Sequence, residues 1–496
     1  MNLTEVPRLS EELTRDYLEE QKLLPVARDN GSLRVAHAGD PDPQALSELA
    51  QLFGARIELE RVPEEELLPA VRHVYGGDAS TARELISELE PGEATGEDGR
   101  ALETHDLEGL ANQAPVVRLV NLLLSEAVGA GASDVHLEAT GDGVRARYRI
   151  DGVLQDAPTP PSHLREAMVS RLKIMAELDI AERRQPQDGR IRLRIEEREL
   201  DVRVSTLPTL HGESVVLRLL DAERQRHDLD GLGMAEDTYR AIVDFSKRPQ
   251  GVLLSTGPTG SGKTTTLYAV LQHLSSGHEK IVSVEDPVEY ELPGVAQVPV
   301  QAKGGLTFAR ALRSILRQDP DVLLVGEMRD PETAEICVQA SLTGHLVLST
   351  LHTNDAPTAI TRLLDLGVPD YLVASTVETV LAQRLVRTTC SECAAREPVE
   401  DAHRREMARD GLEVETVRRG RGCEACRGTG YRGRTGVYEL LDVTEEIRAE
   451  LLRHRGSREI RELAREQGMR PLRSDGWRQV SRGATTPEEV LRVTTS

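Results

Sequence analysis

Residues 257 to 264 read Gly-Pro-Thr-Gly-Ser-Gly-Lys-Thr, between the apolar run Gly251 to Leu254 (GVLL) and the helical pattern TTLYAVLQHL. A buried strand, a glycine-rich turn and a helix in this order make a phosphate-binding loop. Its glycines let successive backbone N–H groups turn inward around phosphate oxygens. The residues expected to bind the nucleotide are Gly257, Pro258, Thr259, Gly260, Ser261, Gly262, Lys263, Thr264 and Thr265. Lys263 supplies a mobile cation for the β and γ phosphates, and Thr264 is placed to ligate magnesium. The expected ligands are therefore ATP and Mg2+.

The chain has 496 residues, enough for three or four domains. Aromatic residues are only 3% of the composition, so the cores must be aliphatic. No stretch approaches the twenty or so apolar residues needed to span a bilayer, and the acidic start MNLTEVPRLSEELTRD does not read as an export signal, so a cytoplasmic location is expected. A formal net charge of −22 argues against nucleic acid as a partner.

Along the chain, residues 1–78 alternate strand-like and helix-like stretches and read as a small α/β domain. The Gly- and acid-rich segment that follows, 79–110, reads as a flexible linker. Residues 111–228 form a compact α+β pattern. Between 229 and 387, buried strands (GVLLST, KIVSVED, DVLLVGE, HLVLST) alternate with helices, the pattern of a parallel sheet covered on both faces. A cysteine-bearing segment, 388–434, and a helical tail, 435–496, complete the chain. Thr444, Ser457 and Thr486 are read as caps of the tail helices. The fold class expected is α/β and multidomain: a RecA-like core preceded by small α/β and α+β domains and followed by a four-cysteine module.

Further candidates follow the loop. VEDPVE places Glu285, Asp286 and Glu289 where the second core strand ends, either as active-site acids or as a helix N-cap cluster. DVLLVGE delivers Glu327 at the carboxyl end of the third, where an acid polarises water or holds magnesium. His345 and His352 bracket the next strand, either as phosphate-sensing groups or as structural histidines. Arg313, Arg317, Arg329 and Arg362 lie in the core, and Arg190, Arg203 and Arg218 in the domain before it. Phosphoryl transfer gains from added positive charge, so arginines offered by a neighbouring domain are expected triggers. Cys390-x-x-Cys393 and Cys423-x-x-Cys426 pair into a four-thiolate zinc site with no open position, with a redox pair as the competing reading.

Taken together, GPTGSGKTTTLYA, VSVEDPVEY, LRQDPDVLLVGEMRD and TGHLVLSTLHTNDA resemble, in order and spacing, the secretion ATPases of the type II secretion and type IV pilus superfamily. The likeness runs from about Pro115 to Thr494. It implies a hexameric ATPase and active-site roles for Glu289, Glu327, His345 and His352, and it makes Arg203 and Arg218 the phosphate-reaching arginines. The four-cysteine module and N-terminal extension resemble assembly motors rather than retraction motors. The first domain resembles the module with which secretion ATPases dock on an inner-membrane platform protein, so membrane association is expected to be indirect. Pilus extension is the alternative within the family, and a nucleotide-gated scaffold the alternative outside it. The first domain lacks the RLGxxL-type repeats of relatives that bind cyclic-di-GMP, and that ligand is not expected.

Overall fold

The computed structural model describes residues 6, 9–10, 13, 17–18, 21–29, 32–39, 41–74, 81–89, 109–195, 198–220, 227–275, 277–301, 304–454 and 456–494. The described chain divides into two compact units, the first made of most residues up to Arg218 and the second chiefly of Leu219–Ser496.

The first unit opens with a three-stranded sheet, β1 (Leu23–Asp29), β2 (Ser32–His37) and β3 (Arg56–Arg61), in the order β1-β2-β3. The crossover from β2 to its parallel neighbour β3 is the helix Pro43–Phe53. Asp42 caps that helix by accepting from the Gln44 N–H at 3.0 Å, and Gly54 ends it in the left-handed conformation. Ala45, Leu49 and Phe53, on one helical face, pack with Leu33 and Val35 of the sheet.

Residues 79–110 read in the sequence as a flexible acidic linker. Instead their described start holds a helix, Ala82–Glu88, and residues 90–108 lie outside the described set. Thr81 caps it, Leu85 is buried, and Glu126 accepts the Ala82 N–H at 2.7 Å. Next come the helix Ala114–Gly129 and a six-stranded sheet of β4 (Ala132–Thr140), β5 (Gly143–Ile150), β6 (Val153–Asp156), β7 (Gln187–Ile195), β8 (Arg198–Thr209) and β9 (Gly212–Leu220), ordered β6-β5-β4-β9-β8-β7.

The second unit is built on a seven-stranded sheet ordered β12-β11-β13-β14-β10-β15-β18. Its strands are β10 (Gly251–Thr256), β11 (Ile281–Glu285), β12 (Val295–Pro299), β13 (Val322–Val325), β14 (Leu346–Leu351), β15 (Val377–Thr389) and, after a two-stranded ribbon of β16 (Ala394–Pro398) and β17 (Thr416–Gly420), β18 (Tyr431–Asp442). β10, β11, β13 and β14 are buried along their whole length, which is why they read as unbroken apolar runs rather than alternating ones. Burial of side chains such as Leu253 and Leu348 contributes roughly 2 kcal/mol each.

Six of these strands run parallel, as expected. The edge does not, because β18 lies antiparallel to β15, pairing Thr379 with Asp442 and Arg387 with Arg434. That strand runs across the expected boundary at 434/435, so the residues from Thr435 to Asp442 belong to the core sheet and the helices begin at Glu445. Thr444 caps the first of them, accepting from Ile447 N–H at 3.3 Å, whereas Gly456 rather than Ser457 occupies the cap position of the helix Ser457–Glu466.

Candidate phosphate-loop site and cysteine cluster

β13, β14 and β10 are adjacent and parallel, so whatever follows each of them emerges at one edge of the sheet. The glycine-rich loop follows β10, Glu327 stands two residues past β13, and His352 directly follows β14. His352 Nε2 lies 3.5 Å from Glu327 Oε2, and the same carboxylate oxygen is held by Arg329 Nε at 2.5 Å. Glu327 is buried and His352 half exposed. The Thr256 hydroxyl accepts the Thr353 N–H at 2.9 Å and so ties the end of β10 to the segment carrying His352.

The loop closes on its own lysine. Lys263 Nζ donates to the carbonyls of Gly257 at 2.8 Å and Pro258 at 3.1 Å. Burial pushes the Lys263 ammonium down to about 8; the Glu327 carboxylate opposes that shift, and the Arg384 guanidinium adds to it. Gly257 and Gly262 have φ of +148° and +90°. A Cβ on Gly257 would stand 2.6 Å from both the Gln383 carbonyl and Ser261 Oγ, and one on Gly262 would stand 2.6 Å from Gln383 Nε2. Only glycine fits at either place. Ser261 Oγ is buried without a hydrogen-bond partner among the described residues, as a group reserved for an incoming anion would be. Thr264, at the second position of the helix Lys263–Leu274, is exposed and open to a metal ion.

Glu289 reaches the loop helix through Tyr268. The Tyr268 hydroxyl is hydrogen-bonded to the buried Glu285 carboxylate and accepts the Glu289 N–H at 3.4 Å. Ser283 Oγ and Gln297 Nε2 donate to the other Glu285 oxygen at 2.5 and 3.2 Å. Glu285 is thus enclosed in a structural network, while Asp286 is exposed and Glu289 partly exposed.

His345 is not part of this cluster. It precedes β14 while His352 follows it, so the two stand a strand length apart, roughly 20 Å. His345 Nδ1 is 2.8 Å from the carbonyl of Ala340, near the end of the helix Pro331–Leu342, and 3.2 Å from Thr343 Oγ1. It satisfies a helix C-terminus, where carbonyls lack partners of their own. Arg313 and Arg317 are likewise engaged locally, with Glu332 and the Arg313 carbonyl. In the first unit, Arg203 lies on β8 and Arg218 on β9, the latter more than half exposed with its Nε 3.1 Å from Asp134.

Two residues absent from the sequence reading line the loop. Gln383 accepts from Thr266 Oγ1 at 2.8 Å and packs under the glycines, and Arg384 Nη2 donates to the Asn354 carbonyl at 2.9 Å. The available signal was Gln-Arg inside the otherwise apolar strand run VLAQRLV.

The four cysteines converge, with all four sulfurs within 4.8 Å of one another. Cys390–Cys423, Cys393–Cys426 and Cys423–Cys426 are separated by 3.9, 3.8 and 3.7 Å. A tetrahedron of sulfurs at about 2.3 Å from a central zinc has edges of about 3.8 Å, so the set fits that ion. The N–H groups of Cys423 and Gly430, each 3.2 Å from Cys426 Sγ, suit a thiolate. The arms of the module cross at Gly420 and Gly430, where a Cβ on Gly420 would lie 2.0 Å from the Gly430 carbonyl oxygen.

A phosphate loop at the end of one parallel strand, with an acid and a histidine at the ends of its neighbours, defines a P-loop ATPase. The family model of the type II/IV secretion system protein matches residues 109–492, and that of the MshEN domain matches residues 2–81. The chain belongs to the type II/IV secretion system protein family and is a secretion ATPase. It is 46% identical over 490 residues to type II secretion system protein E of Xanthomonas campestris, covering 97% of this chain and 84% of that one. It is 45% identical over 461 residues to type II secretion system ATPase E of Vibrio cholerae, covering 91% and 90%. Among solved structures, the pilus retraction motor PilT with bound ADP superposes with a TM-score of 0.53 at 25% identity, over 76% of this chain and 97% of that one. The ATPase DotB of Yersinia pseudotuberculosis shares the fold, with a TM-score of 0.58 at 18% identity, over 82% and 100%.

Proposed function

We propose that the chain is the motor ATPase of a type II secretion system, working as a hexamer that hydrolyses ATP to drive pseudopilus assembly. The observation that carries this reading is the convergence of Lys263, Glu327 and His352 at one edge of a parallel sheet. The names of the Xanthomonas and Vibrio relatives support secretion over pilus extension.

In this reading the loop N–H groups and Lys263 hold the β and γ phosphates, the lysine moving from the carbonyls to which it donates. Thr264 holds magnesium, which when bound neutralises charge on the phosphates. Glu327 orients and polarises the attacking water, and His352 beside it responds to the γ phosphate. Glu289 supplies a second acid near the loop helix. Arg203 and Arg218 act when domains close around the nucleotide, which makes turnover of the isolated chain slow.

Residues 1–78 dock on an inner-membrane platform protein, a reading supported by the MshEN match in that region. No helix among the described residues is long and apolar enough to cross a membrane, which accords with a cytoplasmic motor held there through its partner. Residues 388–434 bind structural zinc through Cys390, Cys393, Cys423 and Cys426. Light scattering in the presence of a non-hydrolysable ATP analogue, with hydrolysis measured separately in ATP, tests the assembly: six chains per particle, and turnover that rises with chain concentration, are expected. Full turnover by a monomer at every concentration contradicts it.

A further inference from the structure

We propose that Arg384 is a second cation for the terminal phosphates of ATP, contributed by the same chain that carries the phosphate loop. The inference rests on the phosphate site at Lys263 and adds to it a residue from a different strand.

β15 pairs in parallel with β10 and runs on past its end. Thr256 is opposite Ala382, so Gln383 and Arg384 lie alongside the loop rather than beneath the sheet. Arg384 Nη1 comes within 3.1 Å of the place where a Cβ on Gly257 would stand. Gly257 is also the residue whose carbonyl receives Lys263 Nζ at 2.8 Å. Two cations therefore meet at the first residue of one loop.

Among the described residues the guanidinium has no carboxylate of its own. Its bonds go to neutral carbonyls, Nη1 to Gln383 at 3.0 Å and Nη2 to Asn354 at 2.9 Å. The acids that act on it from further away are engaged elsewhere. Asp355 is paired with Arg461 at 2.7 Å and accepts the Thr358 N–H at 2.9 Å, while Glu439 accepts the N–H groups of Ala356 at 2.9 Å and Leu472 at 3.4 Å. Glu327, the acid that acts on Lys263, is held by Arg329.

Placing a buried ammonium and a partly exposed guanidinium at one loop residue is costly, and an anion bound between them removes the cost. Arginine's planar fork suits phosphate oxygens, and its position over Gly257 is next to the lysine that spans the β and γ phosphates. The bond to Asn354 adds a consequence. A guanidinium drawn to phosphate releases the carbonyl two residues after His352, so occupancy by the triphosphate is relayed to the histidine segment.

The test compares the full chain with Arg384→Ala, Arg384→Lys and Lys263→Ala, measuring affinity for a non-hydrolysable ATP analogue and for ADP by displacement of a fluorescent nucleotide. In Arg384→Ala the ATP analogue is expected to bind about tenfold or more weakly, with ADP weakened far less, as suits loss of a charge-assisted bond to the terminal phosphate. Arg384→Lys recovers part of the loss. ADP binding also shows that the two Arg384 variants are folded, and circular dichroism shows it for Lys263→Ala. Equal weakening for both nucleotides, or none, overturns the proposal and leaves Arg384 an anchor for Asn354. Lys263→Ala is expected to lose both nucleotides, and its binding both like the unaltered chain overturns the phosphate site itself.

Discussion

Lys263 Nζ sits 2.8 Å from the carbonyl oxygen of Gly257, so the ammonium proposed to hold phosphate is stored on the backbone of its own loop. Storage in a buried place has an electrostatic cost, and that cost makes the site sensitive to pH.

Lys263 titrates at about 8 in the folded chain because burial disfavours the ammonium, with Arg384 adding to the effect and Glu327 opposing it. Between about pH 8 and the usual lysine value near 10.4, the unfolded chain binds the additional proton at this position. This group's contribution to folding stability therefore rises with pH across that window. Nucleotide affinity runs the other way, since phosphate needs the charged form. ATP-analogue affinity measured from pH 7 to 9.5 is expected to fall as pH passes about 8, and to fall less in Lys263→Arg. A flat profile for the unaltered chain contradicts the assignment.

Glu327→Gln removes the charge that faces Lys263 and His352 while keeping the shape. Turnover is expected to drop by roughly 10²-fold or more, with binding of the ATP analogue retained. Phosphate release and analogue titration measured on one preparation separate the two effects. Normal turnover excludes Glu327 as the acid that activates water.

The two histidines should separate cleanly. His352→Ala is expected to lower the rate of turnover at unchanged fold. His345→Ala is expected to leave turnover intact and to cost about 1 kcal/mol of stability through the lost contact with the Ala340 carbonyl. Paired ATPase assays and denaturant melts decide, and equal loss of turnover in both variants contradicts the placement of His345 at the far end of β14.

Much of this was legible in the sequence, for physical reasons. GVLL, DVLLVGE and HLVLST are buried on both faces, so their apolar runs announced parallel strands, and the glycines of the loop announced a cradle that Gly257 and Gly262 provide. What was not legible depends on pairing between distant segments. His345 and His352 look equivalent on either side of HLVLST, but a strand carries its two ends to opposite edges of the sheet. Arg384 and Gln383 come from a strand more than a hundred residues after the loop, and only the β10–β15 pairing brings them under it. The strand Tyr431–Asp442 is not legible because its first half alternates polar and glycine residues, YRGRTG, at an edge where one face is open.

The cysteine cluster predicts about one zinc per chain by elemental analysis. Cys423→Ser is expected to lose the metal and to loosen residues 390–430, seen as faster hydrogen exchange there, because the ion's binding energy is folding energy for so small a module. Retention of full zinc content in that variant excludes a four-thiolate site.

Steady-state ATP hydrolysis by the Lys263→Ala chain, measured as phosphate release from the assembled protein, tests the central claim most directly. The account predicts turnover below about a hundredth of that of the unaltered chain. Unimpaired hydrolysis in that variant would contradict it, since the loop at Gly257 to Thr264 would then not be where the phosphates are held.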